Sequence, residues 1–294
     1  MITGVHTAII MPFSSGKIDY DKLDQILTFQ NNNGIDGIVL HGTTGESPTI
    51  MHEEFIESTN YVVKNWAERL HITVGVSNNS TDVVLKNCDR LTLQPHAFLV
   101  TPPSYSKPTQ EGVFQHFKAI AQNTQVPIIA YNVPARTASD ILPDTLLRMA
   151  DELPNIVAIK DATSSFARLA QEQYLLRNIK RDFSLLTGDD ITALHFLLSG
   201  GNGIISVVSN IVPAIVLKML NLSSHGSNVK EAYDVYFQIY NLINLLFIES
   251  NPMPVKYAMY RMGLCKLEYR LPMCDPSKEL MYNIDKELER LHLI

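Results

Sequence analysis

The sequence is short of the features that mark several large classes of protein. It has three cysteines, Cys88, Cys265 and Cys274, an odd count without a CxxC pair. That usage gives no disulfide framework and is expected of reduced thiols in a cytoplasmic setting. Positive charge is scarce and scattered: 24 Lys and Arg stand against 30 Asp and Glu, for a net charge of −6. A surface for nucleic acid or for an anionic membrane needs the opposite balance. Long uninterrupted apolar runs are missing too. Residues 203–222 and 235–248 are broken by Ser206, Asn210, Pro213, Lys218, Gln238, Asn241 and Asn244, so neither reads as a membrane span. The first residues, "MITGVHTAIIMPF", lack a basic segment and a cleavage site and are expected to form a first strand, not a signal peptide. His52-Glu53-Glu54 does not complete an HExxH motif, and the nine histidines are dispersed, so no catalytic metal is expected. A GxxxxGK[ST] phosphate loop is absent as well.

What is present is an ordinary globular balance, 46% hydrophobic and 18% charged over 294 residues. Eight short β-branched runs recur along the chain: 5–13, 36–44, 71–76, 97–103, 127–134, 156–162, 183–189 and 203–209. They are nearly continuously apolar, the signature of strands covered on both faces, as in a parallel sheet. Helical patterns separate them, with start signals at Asp19, Thr49, Thr109 and Pro143. Strand followed by helix, eight times over, predicts an α/β fold of the (β/α)8 TIM-barrel type over residues 1–223. The remainder, 224–294, is helical in pattern and closes with a helix after Asp275-Pro276, where the aspartate is expected to cap and the proline to take the first helical position. No low-complexity linker precedes it, so it is expected to pack on the barrel as a C-terminal helical extension.

Chemistry in such a barrel belongs at the C-terminal ends of the strands. The ends here are polar: "GTTGES" (42–47), "TPPSY" (101–105), "YNVPART" (131–137), Lys160-Asp161 and "TGDD" (187–190). Lys160 follows the apolar run Ile156–Ile159, where an ammonium is costly to bury. Desolvation there would lower its pKa, and a neutral amine can form a Schiff base whose protonated imine is an electron sink for C–C bond chemistry. Tyr131, Thr43, Thr44 and Arg136 could supply the proton relay and the carboxylate pocket that such chemistry needs. Lys160 could equally pair with Asp161 or another barrel acid and only close its strand. "GTTGES" could be a plain strand-to-helix turn, with glycines for positive φ and Glu46 or Ser47 serving the helix start. "GGNG" (200–203) could cradle a phosphate or make a tight turn.

Taken together, "GTTGES", "YNVPART", "IKDAT", "TGDD", "GGNGIISV" and "NPMPVKYAM" (251–259) closely resemble, in order and spacing, the dihydrodipicolinate synthase family. That family lies within the pyruvate-dependent class I aldolases, which include N-acetylneuraminate lyase, and the likeness covers nearly the whole chain. Thr43-Thr44 and the arginine of "NVPART" set it apart from the sialic-acid enzymes. The resemblance implies that Lys160 condenses with pyruvate, that Tyr131, Thr43 and Tyr105 form a proton relay, with Tyr105 given across a subunit interface, and that Thr44 holds the pyruvate carboxylate. It implies that Arg136 receives the carboxylate of L-aspartate 4-semialdehyde and that Gly188 and Ile205 line the pocket by their main chains. It further implies a lyase of lysine and diaminopimelate biosynthesis that needs no cofactor and assembles as a homotetramer, a dimer of dimers, or as a dimer.

The chain also departs from the family pattern. The loop "TPPSYSKPTQEG" has Ser104 before Tyr105 where the family's better-known form has two adjacent tyrosines. Where lysine-inhibited members hold feedback lysine, His52 and Asn79 remain, but the glutamate position is Val83 and the tyrosine position Ser104. An ammonium ligand without its carboxylate partner is desolvated without compensation, so weak or absent lysine inhibition is expected. Two alternatives stay open at this level: a related pyruvate-dependent 2-oxo acid aldolase or lyase, and a non-catalytic barrel scaffold.

Overall fold

The computed structural model describes residues 1–224 and 228–294, Ser224 by its backbone alone. Eight parallel strands close into a barrel in sequential order. They are β1 (Gly4–Ala8), β2 (Gly37–Leu40), β3 (His71–Gly75), β4 (Ala97–Val100), β5 (Ile128–Asn132), β6 (Ile156–Asp161), β7 (Ser184–Thr187) and β8 (Gly203–Ser206). Seven fall inside one of the eight apolar runs, and β1 begins one residue before its run, at Gly4. The reason is burial on both sides: Ala8, Val39, Leu99, Ile129, Ala158, Leu186 and Ile205 fill the barrel interior, and a larger apolar shell packs between the strands and the surrounding helices.

The first run is shorter as a strand than its residues suggest. After Ala8 the chain leaves the barrel and forms a small hairpin, Phe13–Ser14 with Lys17–Ile18, which buries Phe13 completely. Asp19 caps the helix Tyr20–Asn32 by accepting from the Lys22 amide, and Thr109 caps Gln110–Asn123 in the same way. Two expected starts move. Thr49 lies in a short 3₁₀ turn, where its hydroxyl donates back to the Glu46 carbonyl, and the helix begins only at His52. The last helix, Lys278–Arg290, is capped by Ser277 instead of Asp275, because the serine hydroxyl accepts from the Leu280 amide.

The junction expected between residues 223 and 224 falls at the end of the helix Pro213–Ser224, beside residues 225–227, which lie outside the described residues. The helices Val229–Ile248, Met253–Arg261 and Lys278–Arg290 follow, and Met253–Arg261 brings its buried face back to the barrel mouth. "GGNG" proves to be a helix-to-strand turn at the opposite end of the barrel. Gly200 takes φ +93°, and a Cβ on Gly203 would stand 2.5 Å from the Gly4 carbonyl. Among the described residues no helix is long and apolar enough to cross a membrane, and no group of side chains is arranged to hold a metal ion.

Candidate active site

Side chains alternate along a strand, so β5 and β6 each send one of their last two residues inward and one outward. Tyr131 and Lys160 are paired across the two strands, as are Asn132 and Asp161. Tyr131 joins the interior cluster with Ile129 and Ala158. Lys160 stands at the matching place on β6, 6% exposed, its Nζ 4.2 Å from the centre of the Tyr131 ring. Among the described residues no carboxylate lies within ion-pair distance of that nitrogen, and no hydrogen bond to it is formed. The pairing with Asp161 that the sequence left open is not made. Asp161 accepts instead from Asn132 Nδ2 at 3.0 Å and from the Thr163 hydroxyl. Room for the lysine stem comes from Gly188 after β7, where a Cβ would meet Lys160 Cε at 2.5 Å.

The "GTTGES" turn follows β2. Its left-handed residues are not the glycines but Glu46, at φ +54°, and His41 just before it, at φ +55°. Gly45 is small for another reason, since a Cβ there would press on the Ile9 carbonyl at 3.3 Å. The turn is fixed from the far end of the sequence. Lys256 Nζ donates to Glu46 Oε1 at 2.5 Å, with both side chains almost wholly buried. The Arg270 amide donates to the other Glu46 oxygen at 3.0 Å, and Asn251 Nδ2 donates to the Thr44 hydroxyl at 3.0 Å. Burial pushes the Lys256 ammonium below its ordinary value, and the Glu46 carboxylate opposes that shift. Glu46 thus serves this ion pair, not a helix start.

A cavity of about 620 Å³ opens between these elements, walled by Thr43, Tyr131, Arg136, His41, Thr101 and Ser104 among others. Lys160 is not on the wall itself but touches Tyr131, which is. Thr44 is buried against Asn251, and Ile205 sits inside the barrel with Tyr131 and Leu186. Arg136 is exposed on the short helix Pro134–Thr137 and turns toward the cavity. Tyr105 is the exception among the expected residues. It is 91% exposed at φ +68°, outside the cavity wall. His52, Asn79 and Val83 also line the cavity, and among the described residues no carboxylate does.

Sequence reasoning missed three residues around this site: Asn251, Lys256 and, behind the end of β6, Arg168, whose Nε lies 3.6 Å from Asp161 Oδ1. For Lys256 the signal was there, in "PMPVKYAM", a lysine among apolar residues just like Lys160.

Comparison with known proteins agrees with this architecture. The model of the Dihydrodipicolinate synthetase family matches residues 1–291. The chain belongs to this family. It is 37% identical over 290 residues to 4-hydroxy-tetrahydrodipicolinate synthase of Kosmotoga olearia, an alignment covering 98% of each. The crystal structure of dihydrodipicolinate synthase from Aquifex aeolicus superposes with a TM-score of 0.95 at 35% identity, over 99% of each chain. That of the Acinetobacter baumannii dihydrodipicolinate synthase complexed with pyruvate gives 0.93 at 35%, over the full length of both.

Proposed function

We propose that the chain condenses pyruvate with L-aspartate 4-semialdehyde through a Schiff base on Lys160, giving 4-hydroxy-tetrahydrodipicolinate for lysine and diaminopimelate biosynthesis. The observation that carries this reading is a buried lysine with no ionic partner among the described residues, its nitrogen held over the ring of Tyr131. In its neutral form Lys160 adds to C2 of pyruvate. Tyr131, passing protons with Thr43, protonates the departing hydroxyl, and loss of water leaves a protonated imine. The imine withdraws electrons, so a methyl proton is lost and an enamine forms. Its terminal carbon attacks the aldehyde of the second substrate, whose carboxylate Arg136 receives through a bidentate contact. The amine of that substrate then displaces Lys160 from the imine carbon, closing the ring and freeing the enzyme. Thr44 holds the pyruvate carboxylate, while Gly188 and Ile205 shape the pocket. The imine is itself the electron sink, and the reading assigns no cofactor.

Tyr105 belongs to the relay only if it reaches the site of a second copy. Its exposure supports that, as does the exposed aromatic face of helix Val229–Ile248, with Phe237 and Tyr240 61% and 44% exposed. The reading therefore includes a homotetramer or dimer. It also includes a catalytic barrel over 1–223 served by the extension 224–294 through Asn251, Lys256 and Arg270. A cytoplasmic location is supported by three free cysteines. Weak or absent inhibition by lysine is supported by a cavity lining that includes Val83 and Ser104 and, among the described residues, no carboxylate; inhibition at submillimolar L-lysine would refute it.

Intact mass after incubation with pyruvate and sodium borohydride tests the central step. A reduced pyruvyl adduct is expected on the native chain and not on Lys160→Ala. A native chain that stays unmodified removes the imine mechanism. A panel of aldehydes offered to the pyruvate-loaded enzyme then identifies the second substrate, and preference for a sugar aldehyde would move the chain to the related aldolases.

A further inference from the structure

Lys160 makes no hydrogen bond or ion pair of its own among the described residues, so its position depends on where the backbone of β6 ends. The same is true of the Tyr131 ring relative to β5. What fixes those two ends lies on the outer face of the barrel. Asn132 Nδ2 donates to Asp161 Oδ1 at 3.0 Å and to Asp140 Oδ1 at 2.9 Å, and Asn132 Oδ1 accepts from the Ile141 amide at 2.9 Å. Asn132 is wholly buried, and its backbone carbonyl accepts from the Ala162 amide at 2.9 Å. From the helix Phe166–Leu176, Arg168 closes the group. Its Nη1 donates to both oxygens of Asp140, at 2.8 and 3.1 Å, its Nη2 to the Ile141 carbonyl, and its Nε to Glu172 Oε1 at 2.8 Å. Nε also lies 3.6 Å from Asp161 Oδ1.

One guanidinium thus faces three carboxylates, two of them buried. Glu172, 2% exposed, is pushed up to about 7, first by burial and then by the charge of Asp161, with Arg168 opposing. A buried charge cluster is a poor way to gain stability, since apolar packing of the same volume does as well or better. Its distinctive property is directional, because every bond in it has a fixed angle and length.

We infer that Asn132, Asp161, Arg168 and Glu172 form a positioning device, clamping the ends of β5 and β6 so that the Lys160 amine and the Tyr131 phenol keep the spacing that imine formation needs. The inference rests on the Schiff-base reading of Lys160. None of the four touches the cavity, so they act through the two strand ends. Displacement of a reacting group by about 1 Å costs about 10²-fold in rate, which sets the scale of the expected effect.

The test is single-turnover trapping on the full chain: saturating pyruvate, borohydride quench at intervals, and adduct counted by intact mass, beside thermal unfolding of each variant. Asn132→Ala is expected to trap about 10- to 100-fold more slowly, while the pyruvate concentration for half-maximal rate moves less than about threefold and the final yield still reaches one adduct per chain. Asp140→Ala, on the half-exposed rim and therefore tolerant of change, removes two Arg168 bonds and one Asn132 bond and is expected to slow trapping by about three- to tenfold. A group with a purely structural role would lower the melting temperature and leave the trapping rate of the folded chain untouched. Either variant folded and trapping at the native rate overturns the inference. A native chain that forms no adduct overturns the Schiff-base reading instead, and the two failures are told apart by the native control.

Discussion

Lys160 and Lys256 are both taken out of water at the mouth of the barrel, 6% and 0% exposed, but their surroundings differ in one respect. Lys256 has a carboxylate, Glu46, at 2.5 Å, with the rings of Phe13 and Tyr269 around its ammonium at 4.2 and 5.3 Å. Lys160 has the Tyr131 ring at 4.2 Å and no carboxylate among the described residues. The paired lysine uses its charge to join the C-terminal helices to the "GTTGES" turn. The unpaired one keeps its amine for another partner. Burial alone therefore does not single out a lysine for the Schiff-base role; burial without an ionic partner is what supports that reading of Lys160.

Removing each lysine in turn separates the two roles most widely. Lys160→Met is expected to lower turnover by at least about 10⁴-fold and to abolish the borohydride-trapped adduct, since the nucleophile itself is gone. Its melting temperature should not fall, because a buried amine without a partner is replaced by an apolar chain of similar length. A marked loss of stability would show that Lys160 has a structural role after all. Lys256→Met should do the reverse. It leaves Glu46 buried without its cation and is expected to cost about 3–5 kcal/mol, measured by urea unfolding. The folded fraction should still form the adduct. Replacing Glu46 and Lys256 together by Gln and Met should recover at least half of that loss, as removal of both charges is far cheaper than removal of one.

Gly188→Ala leaves both lysines in place and disturbs only the unpaired one. The new methyl group would fall 2.5 Å from Lys160 Cε and 3.2 Å from the Ala162 side chain, so the lysine must swing. Turnover is expected to fall about 10- to 100-fold while stability changes by no more than about 1–3 kcal/mol. Unchanged turnover would mean that the exact path of the Lys160 stem is unimportant.

How much of this could be read from the sequence follows from the range of each interaction. The barrel strands were legible because a strand covered on both faces is apolar at nearly every position, a local property of the chain. Lys160 stood out against that background for the same reason. The Glu46–Lys256 pair spans 210 residues, and the Arg168 cluster draws on β5, β6 and the segment before residue 143, so no local pattern encodes them. The helix starts were misplaced at Thr49 and Asp275 for local reasons: Thr49 turns its hydroxyl back to the Glu46 carbonyl and leaves Met51 at the cap position, its amide donating to Glu54, and Ser277 stands two residues after Asp275 and caps in its place. Tyr105 is a different case: the resemblance gave it to the site of another subunit, and in the single chain it is exposed.

His41 shows a third way of burying a base, which is to leave it neutral. Ser58 Oγ gives its proton to the Glu54 carbonyl and so accepts from His41 Nε2 at 3.0 Å. That leaves His41 Nδ1 as a bare acceptor, with no partner among the described residues. Burial pushes the imidazole down to about 3, with the Glu54 charge opposing. The unfolded chain, with an ordinary value near 6.5, binds the extra proton between those limits, so stability is complete above about pH 6.5 and falls as the pH drops. Between pH 7.5 and 5.5 the loss from this one group is about 1.4 kcal/mol. His6, His71 and His116, all pushed down by burial, add to it in the same direction, so the wild-type curve alone cannot isolate His41. His41→Asn can, since asparagine tolerates the left-handed backbone at φ +55° and does not titrate. Urea unfolding at pH 7.5, 6.5 and 5.5 should show a gap between variant and native chain that narrows by about 1.4 kcal/mol toward acid. Parallel curves would mean that His41 gains a proton as easily folded as unfolded, and that its buried nitrogen is reached by solvent from the cavity it lines.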